Sequence, residues 1–509
     1  MLAVAKIQQE LWAFLSRNLI VTVLTQMESG EALHDGVVDL TKELEGRLGP
    51  YKTASATGDG AKTANQVLAD YYRCPPNLLQ FLPAAQSVKR RGFFLLGQDS
   101  LCYGHLSHTD APGNPEGKLD DALEHVKVEA PGIRLPFDAN EIIENLRRER
   151  YSGHFREEGS VFNAILRKVY YLLRPFASVS VRRHFQKIHL RNWDTIRFPA
   201  WPVDFTVDRI HQKLLALTLG AQGLEKMPFI WFWPDDFRCC AIMTHDVEGL
   251  SGRDFCPQLM DLDESVGFHS SFQIVPENRY PVPKSYLNSI VSRGFEVNVH
   301  DLKHDGRLFA DHEEFLRRAN RINNYAKEYG AQGFRSGILY RNADWYDAFE
   351  FSYDMSIPNV AHLDPQHGGC CTVMPYFIGK IVELPLTCTQ DYTLFQILGD
   401  YSIELWKKQI ALVREKQGLI SFIVHPDYIR EQRAQDTYRA LLDYLARLRA
   451  EGSAWTALPR DVANWWRERS KMELVQENGE WRVEGPSKER ARVAYASLAG
   501  DAVTYSLAR

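Results

Sequence analysis

The chain has 509 residues, 45% of them hydrophobic and 12% aromatic, with 60 basic against 65 acidic side chains and a formal charge of -5. That mixture suits about three globular domains with real cores and excludes a disordered, collagen-like or coiled-coil chain. Neither half of the chain is a polycation, which removes nucleic-acid binding by bulk electrostatics.

A membrane span needs about 20 consecutive apolar residues, and the best early run, Leu19 to Leu24, is far shorter. The first residues carry Lys6, Gln8, Gln9 and Glu10, without the basic head, apolar stretch and small-residue cleavage site of an export signal. A cytoplasmic protein without a membrane span is expected. The eight cysteines include two adjacent pairs, Cys239-Cys240 and Cys370-Cys371. Neighbours in sequence rarely bridge, and C-x-x-C spacing is absent from both pairs, so reduced, buried cysteines are expected.

Residues 1–235 read as a mixed helix-and-strand region of unassigned role. Tyr51 to Asn65 reads as a loop, Asn140 to Arg150 and Val161 to Leu173 as helices. Phe93 to Leu96 and Leu101 to Tyr103, flanking Gly97 to Ser100, read as a hairpin. The basic run Arg182 to Arg191 reads as a solvated helix face.

From 236 to 468 the pattern becomes regular. Short apolar runs (Cys239–Met243, Ser271–Val275, Phe295–Val299, Gly333–Leu339, Ile381–Leu384, Leu419–Val424 and Trp455–Leu458) alternate with helical stretches (Phe255–Val266, Pro283–Arg293, His312–Tyr329, Ser402–Gln417 and Arg430–Ala450). Buried strands separated by helices imply parallel pairing. About seven such units predict an α/β fold, a closed or nearly closed parallel β/α barrel, with an open doubly wound sheet as the alternative. Residues 469–509 predict a small β appendage on the barrel, with a turn at Asn478-Gly479.

The informative residues follow the predicted strands: Thr244-His245-Asp246-Val247-Glu248, then His300 to Gly306, then Arg335-Ser336, then His425-Pro426-Asp427. In a parallel barrel all strand carboxyl ends lie on one face, so these groups can converge. Each alone has an ordinary structural explanation. Asp246 and Glu248 would serve as a cap or strand-end pair, His300 and His304 as solvated side chains, Arg335 as a buried ion-pair residue and His425 as a core histidine. Their joint occurrence at four strand ends favours chemistry. Alternation on a strand puts Asp246 and Glu248 on one side, and two imidazoles with a carboxylate are a common open zinc site.

At these residues the sequence resembles the polysaccharide deacetylase (carbohydrate esterase, nodulation-B-like) family, over about 230 residues from Arg238 to Trp466, and the resemblance implies a distorted parallel β/α barrel. The family's T-F-D-D motif corresponds to Thr244-His245-Asp246-Val247, with Val247 for the second acid. The resemblance, through a D-x-E variant, implies Asp246 as catalytic base and Glu248 as metal ligand, or the two exchanged. It further implies His300 and His304 as ligands, with Asp301 where Ser or Thr is usual, Arg335 as the residue orienting the base, and His425 as general acid. The family's acidic partner for the histidine is sought around Glu383 to Thr387 and Gln390-Asp391-Tyr392. The implied reaction is metal-dependent removal of an N-acyl, chiefly N-acetyl, group from an amino sugar, with zinc as the expected cofactor. A carbohydrate substrate, nucleotide-linked or lipid-linked, is the expected partner, and nothing in the chain specifies an oligomeric state. Substrate contacts are expected from Tyr340, Asp354 and Tyr428, with Trp345, Tyr353, Asn359 and Tyr376 as further rim candidates. The alternatives are a non-sugar amide hydrolase using the same site and an inactive glycan-binding relic.

Overall fold

A computed structural model describes residues 62–83, 90–129, 132–155, 190 and 192–508. All lie within one unit, Ala61–Arg509. The Leu19 to Leu24 run, most of the Tyr51 to Asn65 segment, the stretch Val161 to Leu173 expected to be helical and, apart from Leu190, the Arg182 to Arg191 run fall outside the described residues.

Before the regular region, the expected hairpin forms from Gly92–Leu95 and Leu101–Gly104, closing at Leu95 opposite Leu101. Helix Ala64–Tyr72 starts at a capping box in which the Thr63 hydroxyl accepts from the Gln66 amide while the Gln66 side chain accepts from the Thr63 amide. Helix Ala139–Arg147 starts at Asp138, which accepts from the amides of Asn140 and Glu141.

The main sheet has nine strands: β1 Cys239–Val247, β2 Ser271–Ile274, β3 Glu296–His300, β4 Gly333–Arg335, β5 Tyr353–Asp354, β6 Tyr376–Ile378, β7 Ile381–Glu383, β8 Leu419–Ile423 and β9 Ala454–Thr456. Its order is β6-β7-β5-β4-β3-β2-β1-β8, with β9 beside the first residues of β1. Every pairing is parallel except β6 with β7. Helices α1 Leu250–Ser265, α2 Lys284–Val291, α3 His312–Tyr329, α4 Glu404–Glu415, α5 Gln432–Ala450 and α6 Pro459–Arg469 connect or follow these strands. In α3 the buried side chains Phe315, Ala319, Ile322 and Ala326 recur at helical spacing and form the face turned inward.

The sheet curls into a half-barrel, and chain beyond β7 reaches back to β8. The Thr387 hydroxyl donates to the Leu419 carbonyl (2.7 Å) and accepts from the Ser421 amide (2.9 Å), and the Cys388 amide donates to the Ser421 carbonyl (3.1 Å). Strands β5 and β6 are too short, at two and three residues, to leave any periodicity in the sequence. The predicted Gly333–Leu339 strand stops at Arg335, because Ile338 and Leu339 turn into the left-handed region at φ 61° and 53°.

After α6 two hairpins form, Glu473–Glu477 with Glu480–Glu484 and Val493–Ala499 with Ala502–Leu507. The first turns at Asn478-Gly479, both at positive φ, as a tight primed turn requires. The second pairs Val493 to Ala496 antiparallel with Met227–Ile230, so the C-terminal segment extends a sheet that begins before the barrel. One core cluster accordingly contains Tyr72, Phe94, Leu214 and Trp233, barrel residues Ile242 and Val382, and Trp465 and Ala494. All eight cysteines are free and buried. Among the described residues no helix is long and apolar enough to cross a membrane.

Candidate active site

Strand β1 is buried along its whole length and delivers Asp246 near its end, with Glu248 one residue beyond it. The side chain between them, Val247, packs into a different core, so both carboxylates turn to the cleft. His245 also turns away. Its Nδ1 lies 2.9 Å from the Val424 carbonyl and its Nε2 3.1 Å from Asp263, a carboxylate that also accepts from Ser270 and Tyr438.

His300 ends β3 and is 1% exposed. Its Nδ1 lies 3.1 Å from the Arg335 carbonyl, so that nitrogen carries the proton and donates. Its Nε2 is buried without a hydrogen-bond partner and lies 3.7 Å from Asp246 Oδ2. His304 follows on a turn at φ 52° and brings Nε2 to 2.8 Å from Glu248 Oε1. Ligand atoms of Glu248, His300 and His304 all lie within 4.8 Å of one another. An orphaned, outward-facing imidazole nitrogen whose ring is fixed through its other nitrogen is the arrangement a metal ligand needs. The donor set of two imidazoles and one carboxylate therefore fits a divalent cation.

Electrostatics separate the groups. Burial alone would raise the Asp246 carboxyl, but Arg335, with His300 and His425, outweighs it and lowers the pKa. Glu248 is held well below the usual range, burial again being overcome, chiefly by His304. Burial drives His300 down to about 4, favouring the neutral imidazole a metal requires.

Arg335 is fully buried at the end of β4. Its Nη2 donates to the Thr244 hydroxyl at 3.0 Å, and Nη1 lies 3.8 Å from Asp246 Oδ2. Asp301, at φ 54°, donates its amide to the Arg335 carbonyl and accepts on its side chain from the Leu302 amide. Its carboxylate also lies close enough to His304 to help raise that imidazole's pKa.

On the far side stands His425, just past β8. Its amide donates to Asp391 Oδ2 (2.8 Å), and its Nδ1 lies 2.6 Å from Asp391 Oδ1. Its Nε2 faces Glu248 Oε1 at 3.6 Å. Burial works against a charged ring there, yet Asp391, helped by Glu248 and Asp246, pushes its pKa up to about 10. Two residues on, Asp427 fixes the loop from β1 into α1: its carboxylate accepts from the amides of Glu248, Gly249 and Gly252 and from the Ser251 hydroxyl, at 3.0–3.2 Å. Neither carboxylate's role shows locally in the sequence. Asp391 lies in the segment searched for an acidic partner, whereas Asp427 shows only as the polar end of the His-Pro-Asp run.

The expected substrate residues separate. Tyr428 sits in the cleft, its hydroxyl donating to Glu248 Oε2 at 3.3 Å and its ring 5.0 Å from that of His425. Tyr340 is half-buried just beyond β4. Asp354 lies beneath the rim rather than on it, 1% exposed, accepting from the amide and hydroxyl of Ser356. Tyr353 and Tyr376 are core residues bonded to Glu296 and to the Arg147 carbonyl, Trp345 packs against Phe309 and Phe315, and Asn359 latches Asp204 to Thr372.

No family model matches the chain, and no curated protein does. Solved structures similar to it include a protein from Mycobacterium smegmatis described as a polysaccharide deacetylase (21% identity, TM-score 0.38, covering 47% of this chain and 93% of that one). The Puue allantoinase is similar at 14% identity and TM-score 0.37, over 46% of this chain and 92% of its own. Peptidoglycan deacetylase PdaC from Bacillus subtilis is similar at 11% identity and TM-score 0.30, over 45% and 93%. The similarity thus spans slightly less than half of this chain and nearly all of each of those.

Proposed function

We propose that the chain is a metal-dependent amide hydrolase that removes an N-acyl group, in the first instance N-acetyl, from an amino sugar in a glycan or in a nucleotide- or lipid-linked precursor. One observation carries the reading: the Glu248, His300 and His304 donor cluster lies between two groups with separate supports, Asp246 beside Arg335 and His425 on Asp391.

Glu248, His300 and His304 would hold the cation. When bound, it supplies Lewis acidity at an acyl carbonyl and makes nearby water a better nucleophile at neutral pH. Asp246 takes the proton of the attacking water, a task for which its lowered pKa keeps it ionised beforehand. Arg335 orients that carboxylate. His425, with Nδ1 committed to Asp391, presents Nε2 to the leaving amine and protonates it. Tyr428 and Tyr340 line the approach and offer ring faces to a sugar. The test is acetate release from a panel of N-acetylated sugars, glycan fragments and nucleotide-linked sugars by the zinc-loaded protein. Release that a chelator abolishes is expected; a zinc-loaded protein that hydrolyses none of the panel overturns the reading.

A further inference from the structure

A second donor cluster stands in the region before the barrel, among His108, Asp120 and His125. His108 Nε2 lies 2.9 Å from Asp120 Oδ2 and His125 Nε2 lies 3.5 Å from Asp120 Oδ1. Ligand atoms of all three residues lie within 4.8 Å of one another. Bonds of 2.0–2.1 Å in tetrahedral zinc geometry place neighbouring ligand atoms about 3.3 Å apart. The measured separations fall on either side of that value.

The backbone holds these residues in place independently of any ion. The Leu95 amide donates to the Asp120 carbonyl at 2.8 Å. Asp121 accepts from the amides of Leu123 and Gly97, capping the short helical turn Ala122–His125 that ends on the second histidine. On the other segment, the Ser107 amide donates to the Pro136 carbonyl at 2.7 Å, next to His108. A single hydrogen bond would explain one histidine on Asp120. Two imidazoles converging on the two oxygens of one carboxylate, from separately anchored segments, make a coordination set.

We infer that His108, Asp120 and His125 form a second zinc site, completed by water, which staples the loop that runs from His108 to Asp120. The set is two imidazoles and one carboxylate, so the ligand class is a borderline divalent cation rather than calcium or magnesium, which prefer oxygen. The side chains are 29–41% exposed, which leaves a path for the ion from solvent. This site does not depend on the catalytic reading of the cleft.

The experiment is zinc content after equilibrium dialysis of the metal-stripped full chain, measured for four proteins: wild type, His108→Ala/His125→Ala, His300→Ala/His304→Ala and the quadruple variant. Two, one, one and no equivalents are expected. Added zinc should also raise the Tm of His300→Ala/His304→Ala and leave that of the quadruple variant unchanged. Equal zinc in wild type and His108→Ala/His125→Ala overturns the proposal, as does a Tm of His300→Ala/His304→Ala that zinc does not move. Loss of zinc only on removing His300 and His304 refutes the loop site and leaves the cleft reading intact. Loss only on removing His108 and His125 does the reverse.

Discussion

Asp391 grips His425 twice, through its backbone amide at 2.8 Å and through Nδ1 at 2.6 Å, so one carboxylate sets the ring's position, its tautomer and its charge. Because Asp391 is the strongest influence raising the His425 pKa, its removal should lower that value. Turnover that needs protonated His425 falls as pH rises through the pKa. The alkaline limb of the kcat–pH profile should therefore move to lower pH in Asp391→Asn. If the ring relaxes to an ordinary value near 6.5, kcat at pH 8 should drop about thirtyfold. A limb that stays in place would show that His425 is not the acid.

The two carboxylates on β1 and just beyond it should respond differently to truncation. Glu248→Ala removes the oxygen 2.8 Å from His304 and should lose cation and activity together. Asp246→Asn should keep the cation and lose turnover by about 10²–10⁴-fold, the usual scale for a general base. Metal content of both variants decides the assignment; loss from Asp246→Asn alone would exchange the roles.

Arg335 is a fully buried cation whose nearest anion is Asp246, itself 3% exposed. Arg335→Ala removes the chief counter-charge of that carboxylate, which should cost about 3–5 kcal/mol of stability. Adding Asp246→Asn removes the stranded charge and should recover part of the loss. Urea unfolding of the two variants measures both figures. A single-variant cost under about 1 kcal/mol, the scale of one ordinary hydrogen bond, would contradict the pairing.

Gly252 tests the Asp427 anchor by an inverted sign. Alanine is the better helix former by about 1 kcal/mol, so Gly252→Ala early in α1 would ordinarily stabilise. Here a Cβ would stand 2.1 Å from Asp427 Oδ2. Gly252→Ala should therefore lower Tm and weaken cation retention through Glu248, and Asp427→Ala should do the same by leaving up to three backbone donors unmade, at about 1–3 kcal/mol in total. A Gly252→Ala protein more stable than wild type would rule the anchor out.

Long, strongly patterned elements were legible in the sequence. The helix at His312–Tyr329 coincides with its expected bounds, since Asp311 caps one end, Gly330 closes the other and an apolar stripe runs between. Strand ends carrying Asp246, His300, Arg335 and His425 were legible because polar residues directly after apolar runs are conspicuous, and parallel topology brings such ends together. Asp391 and Asp427 were much less so. Each acts through backbone amides brought near by folding, and an acid that accepts from amides looks in sequence like any acid in a loop. Asp354 looked like a rim residue because its strand is only two residues long and no alternation marks its burial. The pairing of Val493–Ala499 with Met227–Ile230 joins segments more than 260 positions apart, beyond the reach of any local pattern.

In the core shared by the first and last parts of the chain, the guanidinium of Arg469 donates to the carbonyls of Tyr71, Tyr72, Ile230 and Trp231. Arg469 and Tyr71 are 398 positions apart. At a synthesis rate of about 5–20 residues per second, the early segment waits roughly 20–80 s for the residue that clamps it. Tyr505, which meets the Tyr72 hydroxyl at 2.9 Å, arrives later still. During that interval the rings of Tyr71, Tyr72, Phe229 and Phe232, which pack on one another in the finished protein, have no C-terminal cover. The nascent chain thus carries an aromatic surface that only the segment from Arg469 to Tyr505 can cover, and a holdase chaperone should bind ribosome-bound chains stalled before residue 469 and leave the folded protein alone.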